Sequence, residues 1–234
     1  MAVKTIRARL RPQQLEAYQQ FKRFNVMLAH RRFGKTYLGI LWLIKEIWDE
    51  ERNNPRGYYY APNYAQAKKV AWQYIKNFTQ AFDGITYNES ELRVNWGDRQ
   101  IQLGSAENPD SSRGIYCDAC ILDEPAQMSP KLWSEVLRPA LSDREGHALM
   151  IGTPQGRHGT FFEAWENAAD DPLWARFMFK ASETGIVSDD ELQANRREMT
   201  RSQYLQEFEC SFDAAIRGAY WGEAMSALED SNCL

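Results

Sequence analysis

An apolar run, Val26-Met27-Leu28-Ala29, leads into His30-Arg31-Arg32-Phe33-Gly34-Lys35-Thr36 and then into Tyr37-Leu38-Gly39-Ile40-Leu41-Trp42-Leu43-Ile44. The order is strand, tight loop, helix, with Gly-Lys-Thr at the helix start. A phosphate-binding (Walker A) loop requires that setting. Backbone N–H groups of such a loop and of the first helical turn face an anion. Lys35 then reaches the β/γ-phosphates of a nucleoside triphosphate, and the Thr36 hydroxyl ligates Mg²⁺. Ala29 stands where these loops usually begin with glycine, and Arg31 and Arg32 lie where a bound triphosphate would sit. Gly-Lys-Thr alone also occurs in surface turns, so the reading needs a carboxylate pair closing another strand.

Asp123-Glu124 supplies that pair, directly after the buried-strand pattern Cys117-Asp118-Ala119-Cys120-Ile121-Leu122. Ligands of open α/β sheets bind at the carboxyl ends of the strands. Asp123 is expected to hold Mg²⁺, directly or through water, and Glu124 to polarise the attacking water (Walker B). Thr153, in Ile151-Gly152-Thr153-Pro154, closes the next strand beside the expected γ-phosphate; a plain strand-to-loop turn is the competing reading. Arg113 lies in a turn-rich loop, Ser105 to Gly114, and reads either as a solvated arginine or as a finger serving a neighbouring subunit's ATP. Gln13 or Gln14 can contact adenine, because an amide both donates and accepts.

The 234 residues suffice for one sizeable core with a small appended subdomain. The apolar stretch around Leu38 to Trp48 is too short to span a bilayer, and Met1 to Arg7 lacks a signal-peptide core, so a cytosolic location is expected. Of the cysteines (117, 120, 210 and 233), Cys117 and Cys120 form one Cys-x-x-Cys without a second pair nearby, so buried thiols are expected there, not zinc. A net charge of −4 excludes a simple nucleic-acid coat protein. Yet residues 1–35, including Lys4 and Arg7, hold nine basic side chains against Glu16 alone, which suits a polyanion or a nucleotide.

Helices are expected over 12–24, from the phosphate loop to about Glu51, from Asn63 to about Phe82, from Ser129 to Leu137 and over 161–168. Another helical stretch, from Ser188 to Phe212, is broken near Thr200. The apolar face of the third would comprise Ala67, Val70, Ala71, Tyr74 and Phe78. Strands are expected at Tyr58-Tyr59-Tyr60-Ala61 and Ala148 to Gly152, with an edge strand over 174–179. Period-two segments around 85–103 carry a Gly97-Asp98 hairpin. Alternating strands and helices give an α/β fold with a mainly parallel central sheet flanked by helices and bearing an antiparallel insertion.

Taken in order, Arg11-Pro12-Gln13-Gln14, Ala29 to Thr36, Tyr60-Ala61-Pro62, Ser112-Arg113-Gly114, Ile121 to Ala126, and Gly152-Thr153-Pro154-Gln155-Gly156 with Phe161-Phe162 form one set. With Tyr204-Leu205-Gln206-Glu207-Phe208, the set resembles the N-terminal ATPase domain of the tailed-phage DNA-packaging terminase large subunit over about residues 8–220. The arginine-bearing loop that lacks its first glycine is a habit of that family.

The resemblance implies a RecA-like (ASCE) P-loop fold and an ATP- and Mg²⁺-dependent motor pumping double-stranded DNA into a procapsid through the portal. It implies a homo-oligomeric ring, expected as a pentamer, that is a monomer in isolation. The small terminase subunit is a further partner, and the host cytoplasm, with transient residence on the procapsid, is the location. By resemblance the nucleotide-binding set is Gln14 (for adenine), Ala29, His30, Arg31, Arg32, Phe33, Gly34, Lys35, Thr36 and Thr153. Thr36 and Asp123 hold the metal. Glu124, Lys35, Arg31 or Arg32, and Arg113 acting in trans carry the chemistry, and Thr153 couples it to motion. Gln155 replaces an asparagine often found in the family. The expected organisation is an ATPase core over 1–167 and a helical linker subdomain over 168–234. No nuclease activity is expected of this chain, because no acidic metal-binding cluster follows Gly218-Ala219-Tyr220-Trp221. A helicase-like translocase and a nucleotide-gated DNA or portal clamp are the alternatives.

Overall fold

A computed structural model describes residues 8–213 of the 234. The readings on Lys4, Arg7, Cys233, Gly218-Ala219-Tyr220-Trp221 and the end of the second unit fall outside the described residues. Helix α1 (Pro12–Gln19) precedes β1 (Phe24–Ala29), and α2 (Lys35–Asp49) follows the loop. Strand β2 (Arg56–Ala61) leads to α3 (Tyr64–Ala67), a π-helical turn over Lys68–Trp72, and α4 (Gln73–Thr79). Then come β3 (Thr86–Asn88), β4 (Arg93–Trp96), β5 (Arg99–Ser105) and β6 (Ala119–Asp123). A second π-helical stretch, Leu132–Leu137, runs into α5 (Arg138–Ala140). The described chain finishes with β7 (His147–Gly152), α6 (Gly159–Asn167), β8 (Trp174–Phe179), α7 (Ala181–Thr184), α8 (Asp189–Glu198) and α9 (Arg201–Glu207).

The strands form one sheet in the order β3-β4-β5-β2-β6-β7-β1-β8. From β5 to β8 every pairing is parallel, whereas β3 and β4 add antiparallel through the Gly97-Asp98 turn. Strands covered on both faces read as continuous apolar runs, and β1 and β6 are buried at every residue. Alternate side chains of β1 enter two separate cores. Met27 and Ala29 pack toward α2, while Phe24, Val26 and Leu28 pack toward α6 and the helix around Leu132. Strand β1, which leads into the loop before α2, is therefore packed from both sides.

Several boundaries differ from the sequence expectation, each for a local reason. Helix α1 stops at Gln19 because Asn25 ties the turn before β1, accepting from Lys22 N at 2.8 Å and donating to Lys22 O at 2.7 Å. The helix expected from Asn63 to Phe82 is capped by Asn63 but interrupted by the π-helical turn, which rotates the faces on either side. Trp72 and Ile75 are buried in consequence, and Tyr74 is exposed. Cys117 and Asp118 precede β6 and lie outside it. Asp118 instead accepts from Arg56 N and from the Arg144 guanidinium. Strand β8, assigned from sequence to the unit beginning at 168, pairs with β1 along its length and is the edge of the core sheet. The small separate cluster beyond it comprises Ala181, Leu192, Tyr204 and Phe208.

Candidate active site

Strands β6, β7 and β1 are neighbours, so Asp123, Gly152 and Ala29 end side by side, with Asp123 paired to Ile151 and Leu28 to Gly152. The loop turns back from β1 through two left-handed residues, Arg32 (φ 74°) and Gly34 (φ 91°), the second at the N-cap of α2. Glycine takes that conformation without the cost of a Cβ. Like any helix N-terminus, α2 presents first-turn N–H groups without intrahelical acceptors. Lys35 Nζ donates to Ala29 O at 2.7 Å and lies 3.8 Å from Glu124 Oε1.

Asp123 Oδ2 accepts two hydroxyls, Thr36 Oγ1 at 2.7 Å and Tyr59 OH at 2.6 Å. Asp123 is 4% exposed, and burial, reinforced by the Glu124 charge, pushes its pKa up to about 6. Glu124 takes a left-handed backbone (φ 63°, ψ 52°), unfavourable for a residue with a Cβ and held by its N–H bond to Ile151 O at 2.8 Å. Its Oε2 accepts from Thr153 N at 3.1 Å and Thr153 Oγ1 at 3.3 Å. Gly152 permits this approach: a Cβ there would stand 3.0 Å from Glu124 Oε2 and 3.3 Å from its Cα.

The expected set divides under this geometry. Lys35, Thr36, Asp123, Glu124 and Thr153 are brought together, and the exposed Arg31 and Arg32 stand on the loop beside them. Phe33 and His30 face inward instead. Phe33 stacks on Phe179 with ring centroids 4.5 Å apart. His30 Nδ1–H donates to Arg31 O at 2.6 Å, which leaves Nε2 to accept from Thr184 Oγ1 at 2.8 Å. Burial holds the imidazole below its ordinary pKa, consistent with that neutral tautomer. Both N–H groups of the Gln14 amide are engaged by the loop, at Phe33 O (2.9 Å) and Gly34 O (3.2 Å), and its Oε1 accepts from Arg11 N. Gln14 thus braces loop backbone in this structure with both of its donors. The Arg113 side chain, 53% exposed, is paired with Asp110 at 2.6 Å and Glu135 at 2.8 Å.

Tyr59 has no site role in the sequence reading, and the structure adds contacts for His30 and Glu207 that the sequence does not give. Tyr59 was visible only as part of an apolar strand. His30 is the tether between loop and α7, and Glu207, within the segment Tyr204 to Phe208, accepts Arg31 N–H through its main-chain oxygen at 2.9 Å. The half-buried Glu207 carboxyl is pushed upward by burial and then by the charge of Glu124. Among the described residues no group of three or more His, Cys, Asp or Glu could hold a metal ion by itself. A hydroxyl and a carboxylate such as Thr36 and Asp123 fit Mg²⁺, which keeps several waters and takes only one or two protein groups beside phosphate.

The large terminase subunit of Thermus phage G20c is 28% identical over 163 residues, covering 61% of this chain and 33% of that protein. The chain therefore spans about a third of the length of this curated relative. The solved ATPase domain of the Thermus phage P74-26 large terminase superposes with a TM-score of 0.74 at 22% identity, over 86% of this chain and 93% of that one. The large terminase of a thermophilic bacteriophage, solved in complex with ADP, gives 0.68 at 12% identity, over 86% and 53%. Both structures share the fold. A family model described as terminase large subunit, T4likevirus-type, N-terminal, matches residues 26–217. By that match the chain belongs to the T4-like-virus type of terminase large subunit, in its N-terminal part.

Proposed function

We propose that this chain is the ATP-hydrolysing motor of viral genome packaging, driving double-stranded DNA into a procapsid through a portal. One arrangement carries the reading. At the ends of three adjacent strands Thr36 is bonded to Asp123, Thr153 is bonded to Glu124, and Lys35 lies 3.8 Å from Glu124. Family membership and the ADP of the thermophilic-phage terminase support a nucleotide as the ligand.

In this mechanism the first-turn N–H groups of α2 and Lys35, released from Ala29 O, receive the β/γ-phosphates. Glu124 orients water and takes its proton as the water oxygen bonds to the γ-phosphorus and the bond to the β-phosphate oxygen breaks. Mg²⁺ held by Thr36 and Asp123 would draw charge from the phosphate oxygens. Arg31 or Arg32 adds positive charge from the loop. Arg113 adds it in trans within a homo-oligomeric ring, for which five subunits are the expectation. Thr153 links the state of Glu124 to β7, and the His30–Thr184 and Arg31–Glu207 bonds link the loop to α7 and α9. The portal and the small terminase subunit are the protein partners in this reading, and the host cytoplasm is the compartment. Among the described residues no helix is long and apolar enough to cross a membrane.

ATP turnover per subunit, measured as protein concentration rises with Arg113→Ala in parallel, tests the reading. Turnover that climbs with concentration and collapses in the variant supports a ring motor with a finger in trans. Flat turnover insensitive to Arg113→Ala sinks the trans assignment. Bound ATP without turnover at any concentration supports a nucleotide-gated clamp, which the pairing of Arg113 with Asp110 and Glu135 favours for the free chain.

A further inference from the structure

We propose that Tyr59 is a positioning residue for the metal-binding carboxylate, presetting Asp123 so that its second oxygen is free for the cation. The inference rests on the ATPase reading above. Tyr59 lies on β2 opposite Ile121 of β6, two residues short of Asp123. At the rise of a strand, its hydroxyl must reach about 7 Å along the sheet to meet the carboxylate. A serine or threonine at this place would fall short, whereas a tyrosine ring spans the gap. The ring is 1% exposed and belongs to the core that packs on α2.

A phenol buried so deeply needs a partner for its hydroxyl. The partner is a charged group that belongs to the site, Asp123 Oδ2 at 2.6 Å. Thr36 Oγ1 donates to the same oxygen at 2.7 Å. Two donors on Oδ2 fix the plane of the carboxylate, and among the described residues no hydrogen bond is given to Oδ1. The donors are neutral, so they orient the anion without adding a positive charge that would repel a divalent cation. Were an arginine or lysine there, the cation would compete with a charge already in place. Thr36 is itself an expected metal ligand, which makes Tyr59 the donor that stays on Asp123 whether or not metal is bound.

The test uses Tyr59→Phe, which removes only the hydroxyl, and Tyr59→Leu as a second hydroxyl-free variant. The control is Tyr58→Phe, whose ring belongs to the opposite core. A fluorescent ATP analogue is titrated against each chain over a range of Mg²⁺ concentrations, and the thermal midpoint in EDTA reports folding. The Mg²⁺ concentration for half-maximal nucleotide binding is expected to rise about 10-fold in both Tyr59 variants. Metal-free nucleotide affinity should be nearly unchanged, and Tyr58→Phe should match the wild type. Wild-type binding that depends on Mg²⁺, with an unshifted midpoint in a folded Tyr59 variant, overturns the positioning role. Wild-type nucleotide binding that never responds to Mg²⁺ overturns the ATPase reading itself.

Discussion

Thr153 grips Glu124 twice, giving both its backbone N–H and its hydroxyl to Oε2 at 3.1 and 3.3 Å. The carboxylate expected to activate water is thereby bound to the first residue after β7. Thr153→Val removes one of the two donors and keeps the shape. We expect turnover to fall about 10-fold, the low end of the worth of one hydrogen bond to a charged group, since this bond is long at 3.3 Å. Thr153→Ser should restore it in steady-state assays, and an unaltered rate in Thr153→Val would separate the hydroxyl from catalysis.

Asp123 makes the metal-free fold sensitive to pH. Its folded-state pKa of about 6 lies above the ordinary 3.8, so the folded chain holds the proton more tightly than the unfolded chain. The stabilisation is complete below the unfolded value and is lost as pH rises through about 6. At pH 8, in EDTA, ionised Asp123 costs at most about 3 kcal/mol. Asp123→Asn, which keeps an oxygen for Tyr59 and Thr36, should raise the thermal midpoint at pH 8 and lose that advantage by pH 4. Equal midpoints at both pH values would contradict this.

The His30–Thr184 bond ties the phosphate loop to α7. Thr184→Val leaves a buried imidazole nitrogen without its donor, at a cost of about 1–3 kcal/mol. Hydrogen exchange should quicken through 181–208 and at the loop, while β6 and β7 remain protected. His30 carries the opposite sign to Asp123. Its depressed pKa keeps it neutral in the fold, so its contribution is present above the ordinary value and declines as pH falls below it. Uniform exchange across the chain in Thr184→Val would argue against a local tether.

Arg113 is held by two carboxylates on its own chain, at an exposed place where such pairs contribute little to stability. Neutralising both, with Asp110→Asn and Glu135→Gln, should leave the thermal midpoint unchanged within error. The protein concentration for half-maximal turnover should fall, because the side chain is free to reach a neighbour. A concentration dependence identical to the wild type would show that the pair does not restrain the finger.

The loop and the Asp-Glu pair were legible because each is local: a strand, a turn chemistry and a helix start lie within a dozen residues. The order of strands around them was not, since parallel pairing joins segments far apart in the chain. The edge strand expected over 174–179 is present as β8, but its pairing with β1 from Phe24 to Ala29 carries the core sheet past the boundary expected at 167. The same limit hid Tyr59, whose meaning depends on which strand lies beside it. His30 and Phe33 read as loop residues that would meet phosphate through their backbone, and the structure adds that their side chains serve tethering and packing. Gln14 stands out in the sequence for its amide, and in the structure that amide donates to loop carbonyls. The basic N-terminal segment reads as suited to a polyanion or a nucleotide, without a choice between them. Of its described members, Arg11 holds the loop at Phe33 O, and Arg23 bonds Leu141 O and Gly146 O.

The role of Glu124 is open to a direct measurement: turnover and nucleotide binding by Glu124→Gln against the wild type, both in Mg²⁺. Glutamine keeps the size and an oxygen for Thr153 but takes up no proton. We expect ATP to bind with near wild-type affinity and turnover to drop about 10³-fold, the scale of a lost general base. Turnover within a few-fold of the wild type would contradict the assignment of Glu124 and, with it, the site built around it.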